Sequence, residues 1–332
     1  MITRSRVAGL VGVVADRMLG SVISESYQLA KLRSHLDYLR LLDKEPLLVY
    51  QMGKVGSTTI VSSLHAAADL NAKYSVYHVH WLSPERLRYE EDIHRSALAR
   101  SQQPGSTPAA HFHPEYVWAG QHLSRRLRNE RDTTKWTVIT LLREPISRNI
   151  SSFFQNLETL LSYDFRSKLE TTSVDRVIDD LLALFAENYI VDGAIERSDA
   201  NPMTWFDKEL KNVFGVNVYA TPFPSERGYA TYETPRARVL LLRLEDLTRH
   251  NGEPVKEFLH SRDFKLVSAN QGRDKDYSQL YEAFVKRLAL PTSYVESIYR
   301  SRYSTHFYTP KERDRFRAKW DNLPREVTSP GI

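Results

Sequence analysis

The sequence predicts an α/β fold: a central parallel sheet flanked by helices, preceded by a helical N-terminal extension. Three observations carry that reading. Short apolar runs alternate with amphipathic stretches along most of the 332 residues, the order that builds a doubly wound parallel sheet. One of the runs, Leu47-Leu-Val-Tyr50, is continuous rather than alternating, as expected for a strand covered on both faces. It passes directly into a turn of small residues and then into a helical pattern.

Taken in order, residues 1–45 read as helical, with Leu29, Leu32, Leu36, Leu39 and Leu42 at three- and four-residue spacing. Residues 46–325 read as one α/β domain. Leu47–Tyr50 is its first strand, residues 59–69 its first helix, and Tyr74–His80 its second strand. The polar, Arg-rich stretch 83–135 is expected to be helical around a loop at 101–108. Trp136–Leu142 is the clearest strand, followed by a helix from Ile146 to about residue 161 with Pro145 in its first turn. Another helix is expected at 173–190, strands at Val216–Ala220 and Arg238–Arg243, a surface loop at 221–236, and helices across 253–325.

The bulk numbers set limits. Hydrophobic residues at 41% and charged residues at 26% permit a sizeable core. The net charge of +5 suits an anionic ligand, but no basic tract is long enough to favour nucleic acid, and none is expected as a partner. There is no cysteine, which excludes disulfides and thiolate metal sites and points to a reducing, cytoplasmic setting. The apolar run Ala8–Ala15 is too short to span a bilayer, leaving peripheral membrane contact through an N-terminal helix open.

The segment Gln51-Met-Gly-Lys-Val-Gly-Ser-Thr-Thr59 sits where a strand turns into a helix. Backbone N–H groups at a helix start, with the positive end of its dipole, hold phosphate-like anions. Gly53 and Gly56 permit close approach, Val55 contributes its backbone, Ser57, Thr58 and Thr59 supply hydroxyls, and Lys54 a mobile charge. The sheet is therefore expected to be P-loop-like. The motif is not that of a nucleoside triphosphatase, whose lysine follows the second glycine, whereas Lys54 precedes Gly56. A dinucleotide-binding Gly-x-Gly-x-x-Gly is also absent.

A second anchor follows the clearest strand. Arg143 sits at its carboxyl edge, where open α/β sheets bind ligands, and Ser151 lies two turns into the next helix. Ser147 and Ser151 share a helix face. An Arg fork beside a Ser hydroxyl suits a terminal phosphate.

Together the two segments resemble the sulfotransferase superfamily that uses 3′-phosphoadenosine 5′-phosphosulfate (PAPS). Lys54–Thr59 resemble its 5′-phosphosulfate loop, and Arg143 with Ser151 its 3′-phosphate pair. Within it the chain looks closest to the bacterial capsular polysaccharide synthesis family of the NKWYS type, on Gln51–Ser57, Lys135-Trp136 and His306-Phe-Tyr-Thr309. It departs at Thr134-Lys-Trp-Thr-Val138, where the family motif has Asn, Tyr and Ser. The resemblance implies sulfuryl transfer from PAPS to a hydroxyl of a glycan or related acceptor, with Lys54 at the bridging oxygen and no metal. Two other readings stay open: a kinase with a degenerate phosphate loop, and a non-catalytic capsule protein that binds an anionic polymer.

For the base, His78 and His80 stand at period two on one strand face, with His80 at the catalytic edge. The pair is similar to that of polysaccharide 2-O-sulfotransferases, although two hydrogen-bonded strand histidines would look the same. His111 and His113 form a weaker pair. Softer candidates are Arg273 in a polar loop at 270–275, Arg125 and Arg126 toward the 3′-phosphate, and Glu144 as a local ion-pair partner. Arg302, His306 and Tyr308 are candidates for the acceptor groove, and Trp81, Trp118 and Tyr229 for stacking groups.

Overall fold

In a computed structural model the described residues are 29–32, 34–36, 38, 44–101, 115–130, 134–157, 163, 165–190, 202–267 and 277–321. They form a mixed α/β structure around a five-stranded sheet. In chain order, β1 (Glu45–Tyr50), α1 (Ser57–Ala66), α2 (Ala68–Lys73) and β2 (Tyr74–Val79) come first. Then follow α3 (Pro84–Ser101), α4 (Glu115–Asn129), β3 (Trp136–Leu142), α5 (Pro145–Asn156), α6 (Phe165–Thr171) and α7 (Val174–Phe185), the last continuing as a π-helical turn to Ile190. A helical segment combines α8 (Pro202–Trp205), a π-helical turn (Phe206–Lys211) and α9 (Asn212–Phe214). After it come β4 (Tyr229–Glu233), β5 (Ala237–Arg243), α10 (Leu244–Leu247) and α11 (Glu253–Leu259). The last helices are α12 (Ser278–Arg287), α13 (Thr292–Arg300), α14 (Arg302–Phe307) and α15 (Pro310–Asp321).

The strand order is β2-β1-β3-β5-β4, with four parallel strands and β4 antiparallel at one edge. The apolar runs behave as their composition requires. Leu47 to Tyr50 and Val138 to Leu142 are buried throughout, because helices cover both faces of the central strands. Register places the site: Tyr50 pairs with Val79 and Leu142 with Arg243, so Gln51, His80, Arg143 and Leu244 all emerge along one carboxyl edge.

Two expectations change. Residues 216–220 are irregular rather than a strand. Gly215 sits at φ +74°, Asn217 accepts from the Tyr219 N–H through its side chain (3.2 Å), and Ala220 N–H reaches Asn217 O (3.1 Å). These local bonds satisfy the backbone without a ladder, and the alternating Val216 and Val218 report burial only. The edge strand lies instead inside the expected loop, at Tyr229–Glu233, where aromatic and β-branched residues favour pairing with β5. Within 202–214 the π-helical turn breaks the 3.6-residue pattern by which periodicity marks a helix.

Of the N-terminal stretch, the described residues between 29 and 38 are helical, and Leu36 joins the core. Most of the expected extension at 1–45 lies outside the described residues. Among the described residues, no helix is long and apolar enough to cross a membrane.

Candidate anion-binding and base site

β1 and β2 end side by side, and their exit residues build the first half of the site. Gln51 is wholly buried, and its N–H donates to Val79 O at 3.3 Å. Its side-chain nitrogen lies 3.1 Å from His78 Nε2 and 3.2 Å from His80 Nδ1. His80 Nδ1 is also 3.0 Å from the Gln51 carbonyl oxygen. A carbonyl only accepts, so the shorter contact assigns the proton to this nitrogen and leaves Nε2 as the lone-pair nitrogen of His80; the Gln51 amide nitrogen, itself a donor, then makes no hydrogen bond to His80. His78 Nε2 reaches Ser57 Oγ at 3.0 Å, tying the histidine pair to the first residue of α1. The Gln51 side-chain oxygen is buried with no hydrogen-bond partner among the described residues.

Burial lowers His78 to about 4 and His80 to about 3; for His80 the neighbouring His78, Arg148 and Lys54 push the same way. Both imidazoles are therefore neutral near pH 7. The unfolded chain protonates them near pH 6.5, whereas the folded chain resists until about pH 4. Stability should accordingly fall as pH drops through that window. Thermal unfolding at about pH 7 and about pH 5 checks it: a variant with both histidines replaced by Asn should lose less over that interval than the parent.

The second half of the site is the loop itself. Lys54 takes φ +71° and Gly56 φ +86°, so the chain turns left-handed twice in three residues. Val55 is fully buried and anchors the loop by its side chain. Ser57 is buried, Thr59 half-buried and Thr58 exposed. Gly56 stands at the N-cap of α1, where no side chain caps the helix. Two arginines hold the loop by its carbonyls: Arg143 donates to Lys54 O at 3.2 Å and Arg148 Nε to Gly53 O at 2.9 Å. Arg148 is itself fully buried and also donates to Asn149 Oδ1 at 3.2 Å. Burial lowers it to about 10, which leaves it cationic at neutral pH.

The neighbouring helix start differs. Glu144 accepts from the Ile146 and Ser147 N–H groups at 2.7 and 2.8 Å, capping α5 with a carboxylate. It therefore acts as a cap, with no ion pair among the described residues, and it also accepts from Tyr299 OH at 2.8 Å. Glu245, whose carboxyl is raised by burial, accepts the Glu144 N–H at 2.7 Å, and Tyr303 OH donates to Arg143 O at 2.9 Å. Lys319, lowered by burial, donates to Ser147 Oγ at 3.3 Å. Ser151 stands half-buried one turn beyond Ser147.

Several of these groups carried no sequence signal. Arg148 and Lys319 read as ordinary helix charges. Trp205 donates to His80 O at 3.1 Å. Glu209 accepts from the Leu82 and Ser83 N–H groups at 2.8 and 2.9 Å, from Ser83 Oγ at 2.5 Å, and from Tyr50 OH. The π-helical segment thus fixes the edge on which His80 sits.

Other candidates separate from this site. Arg126 pairs with Glu130, donates to Tyr77 OH and lies over Trp136, the first residue of β3, at the end of that strand opposite Arg143. Arg125, its exposed neighbour on α4, gains no support as a phosphate ligand. Tyr229 lies on the edge strand under Arg227. Trp81 is covered by Arg86 at 4.2 Å, and Trp118 is half-buried on α4. Arg302 pairs with Asp207 and covers Tyr219, while His306 and Tyr308 line a cleft. Arg273, with the 270–275 loop, and His111 and His113 lie outside the described residues.

No curated protein and no solved structure matches the chain. One family model, described as "Putative capsular polysaccharide synthesis protein" (NKWYS), matches residues 188–309. That span includes Glu209, β4, β5, Arg302 and His306, and begins after the loop at 51–59, the strand histidines, Arg143 and Ser151. Over residues 188–309 the chain is therefore similar to a family whose description ties it to capsular polysaccharide synthesis.

Proposed function

We propose that the chain is a cytoplasmic PAPS-dependent O-sulfotransferase that modifies a hydroxyl of a capsular or extracellular glycan. The observation that carries this reading is one connected network at one sheet edge. Ser57 at the start of α1 bonds His78, and Arg143 and Arg148 bond the carbonyls of Lys54 and Gly53. It unites an anion cradle, two cations and a neutral histidine pair. The left-handed Lys54 and Gly56 are the kind of backbone that turns successive N–H groups toward one concavity. With α1 uncapped by a side chain and α5 capped by Glu144, the favoured seat for a 5′-phosphosulfate is the first of these two helix starts. Arg143, Ser151, Ser147 and Lys319 would then meet the 3′-phosphate.

PAPS supplies an activated sulfuryl group. The acceptor oxygen forms a bond to sulfur as the bond from sulfur to the bridging phosphate oxygen breaks. His80 Nε2 takes the acceptor proton, its tautomer held by the Gln51 carbonyl. Lys54, close enough to His80 to depress its basicity, neutralises charge growing on the bridging oxygen. An anionic donor in the site would raise His80 from its value in the ligand-free protein.

Isothermal titration with 3′-phosphoadenosine 5′-phosphate tests the reading. Micromolar-range binding is expected, weakened about 30- to 1,000-fold by Arg143→Ala, since a charge-assisted fork is worth about 2–4 kcal/mol. Ser151→Ala should weaken it less. Absence of binding by the intact protein, or indifference to both substitutions, would overturn the assignment.

A further inference from the structure

Beyond the network at 51–59 lies a separate cleft of about 440 Å³ between the segment entering β4 and the turn after α14. Its walls include Tyr219, Phe223, Ser225, Thr305, His306 and Thr309. The fold places it on the same carboxyl edge. β4 runs antiparallel, so its first residue, Tyr229, faces Leu242 near the end of β5, and Arg243 N–H donates to Gly228 O at 2.9 Å. Tyr308, also in the wall, connects inward: its hydroxyl lies 3.3 Å from Glu245, which in turn accepts the Glu144 N–H beside Arg143.

The wall chemistry is narrow. Tyr219, His306 and Phe223 form one aromatic cluster, with centroids 4.9 Å apart for Tyr219–His306 and 6.3 Å for Phe223–His306. Ser225, Thr305 and Thr309 bring hydroxyls among them. His306 donates Nε2–H to Val218 O at 2.9 Å, which makes Nδ1 an acceptor, and burial keeps the ring neutral. Among the described residues the wall itself contributes no Asp, Glu, Lys or Arg, and Arg302, which covers the Tyr219 ring at 3.9 Å, is paired with Asp207. A cleft of aromatic faces and hydroxyl groups whose flanking cation is already paired matches the alternating C–H faces and hydroxyls of a sugar better than a phosphate or sulfate. All the wall residues named here fall within 188–309, the stretch similar to the capsular polysaccharide family, whereas the loop at 51–59 does not.

We propose that this cleft is a glycan subsite that holds an uncharged sugar segment of the acceptor chain, remote from the hydroxyl that reacts. This rests on the sulfotransferase reading for the identity of the reacting end. Neither His80 nor any residue of the 51–59 loop lines the cleft, so a ligand engaging both places must extend beyond a single sugar. A single sugar at His80 would leave the cleft unfilled.

The test uses the full chain on an array of unsulfated, uncharged oligosaccharides from bacterial capsular and extracellular polysaccharides. Wild-type protein should bind longer members in preference to disaccharides. Tyr219→Ala, and separately Ser225→Trp to fill the cleft, should weaken that binding by about tenfold or more. Affinity for 3′-phosphoadenosine 5′-phosphate should stay unchanged in both variants, and Arg143→Ala should retain glycan binding. No bound member with wild-type protein, or binding indifferent to both cleft variants, would overturn the subsite. So would nucleotide affinity lost in the folded Tyr219→Ala protein, because the cleft would then serve the nucleotide. Glycan binding without any nucleotide affinity would support the cleft and remove the sulfotransferase reading, so the two fail separately.

Discussion

His80→Asn should lower turnover by about two to four orders of magnitude while leaving nucleotide affinity within about twofold. Asparagine is chosen because its side-chain N–H can replace Nδ1–H in the bond to the Gln51 carbonyl, keeping the β1–β2 exit in place. What it lacks is the Nε2 lone pair. Transfer of labelled sulfate from PAPS to unsulfated polysaccharide gives the rate, and titration calorimetry the affinity. His78→Asn should be milder, since that ring is bonded through its own Nε2 to Ser57. Persistence of full activity in the His80 variant would move the base elsewhere.

Gly56→Ala should cost about 2–3 kcal/mol of stability. The residue sits at φ +86°, where an L side chain costs about 1–2 kcal/mol. Its new Cβ would also stand 2.4 Å from Leu244 Cδ1, so that side chain must rotate away from the start of α10. Gly53→Ala is the control: its Cβ would meet only Arg148 Nη2, at 3.9 Å, and Gly53 has no left-handed φ. Urea unfolding should place the Gly56 variant well below wild type and the Gly53 variant within about 0.5 kcal/mol of it. Equal losses in the two would mean that the loop's left-handed turn is not what requires glycine at 56.

Most of the sheet was legible because buried parallel strands announce themselves as unbroken apolar runs, and Leu47–Tyr50 and Trp136–Leu142 are two of them. The edge strand was not. One face of Tyr229–Glu233 is open, so its pattern could not be told from an aromatic loop. At the candidate site, residues that a motif at a strand end marks could be found: Lys54, Gly56, Ser57, Arg143 and the histidine pair lie together at one sheet edge. Residues that act through tertiary contact could not. Arg148 earns its place from a bond to Gly53 O across 95 residues, and Glu209 from bonds to Leu82 and Ser83 that no local pattern encodes.

Those separations also bear on when the site can exist. Tyr303 braces Arg143 across 160 residues, and Lys319 reaches Ser147 across 172. During synthesis all five strands leave the ribosome before either partner does. The sheet can pair first, but the braces around Arg143 can form only once α14 and α15 have emerged. Long-range contacts of this kind carry the largest loop-closure cost and form late. A nascent chain therefore lacks both braces until residues 303 and 319 have emerged.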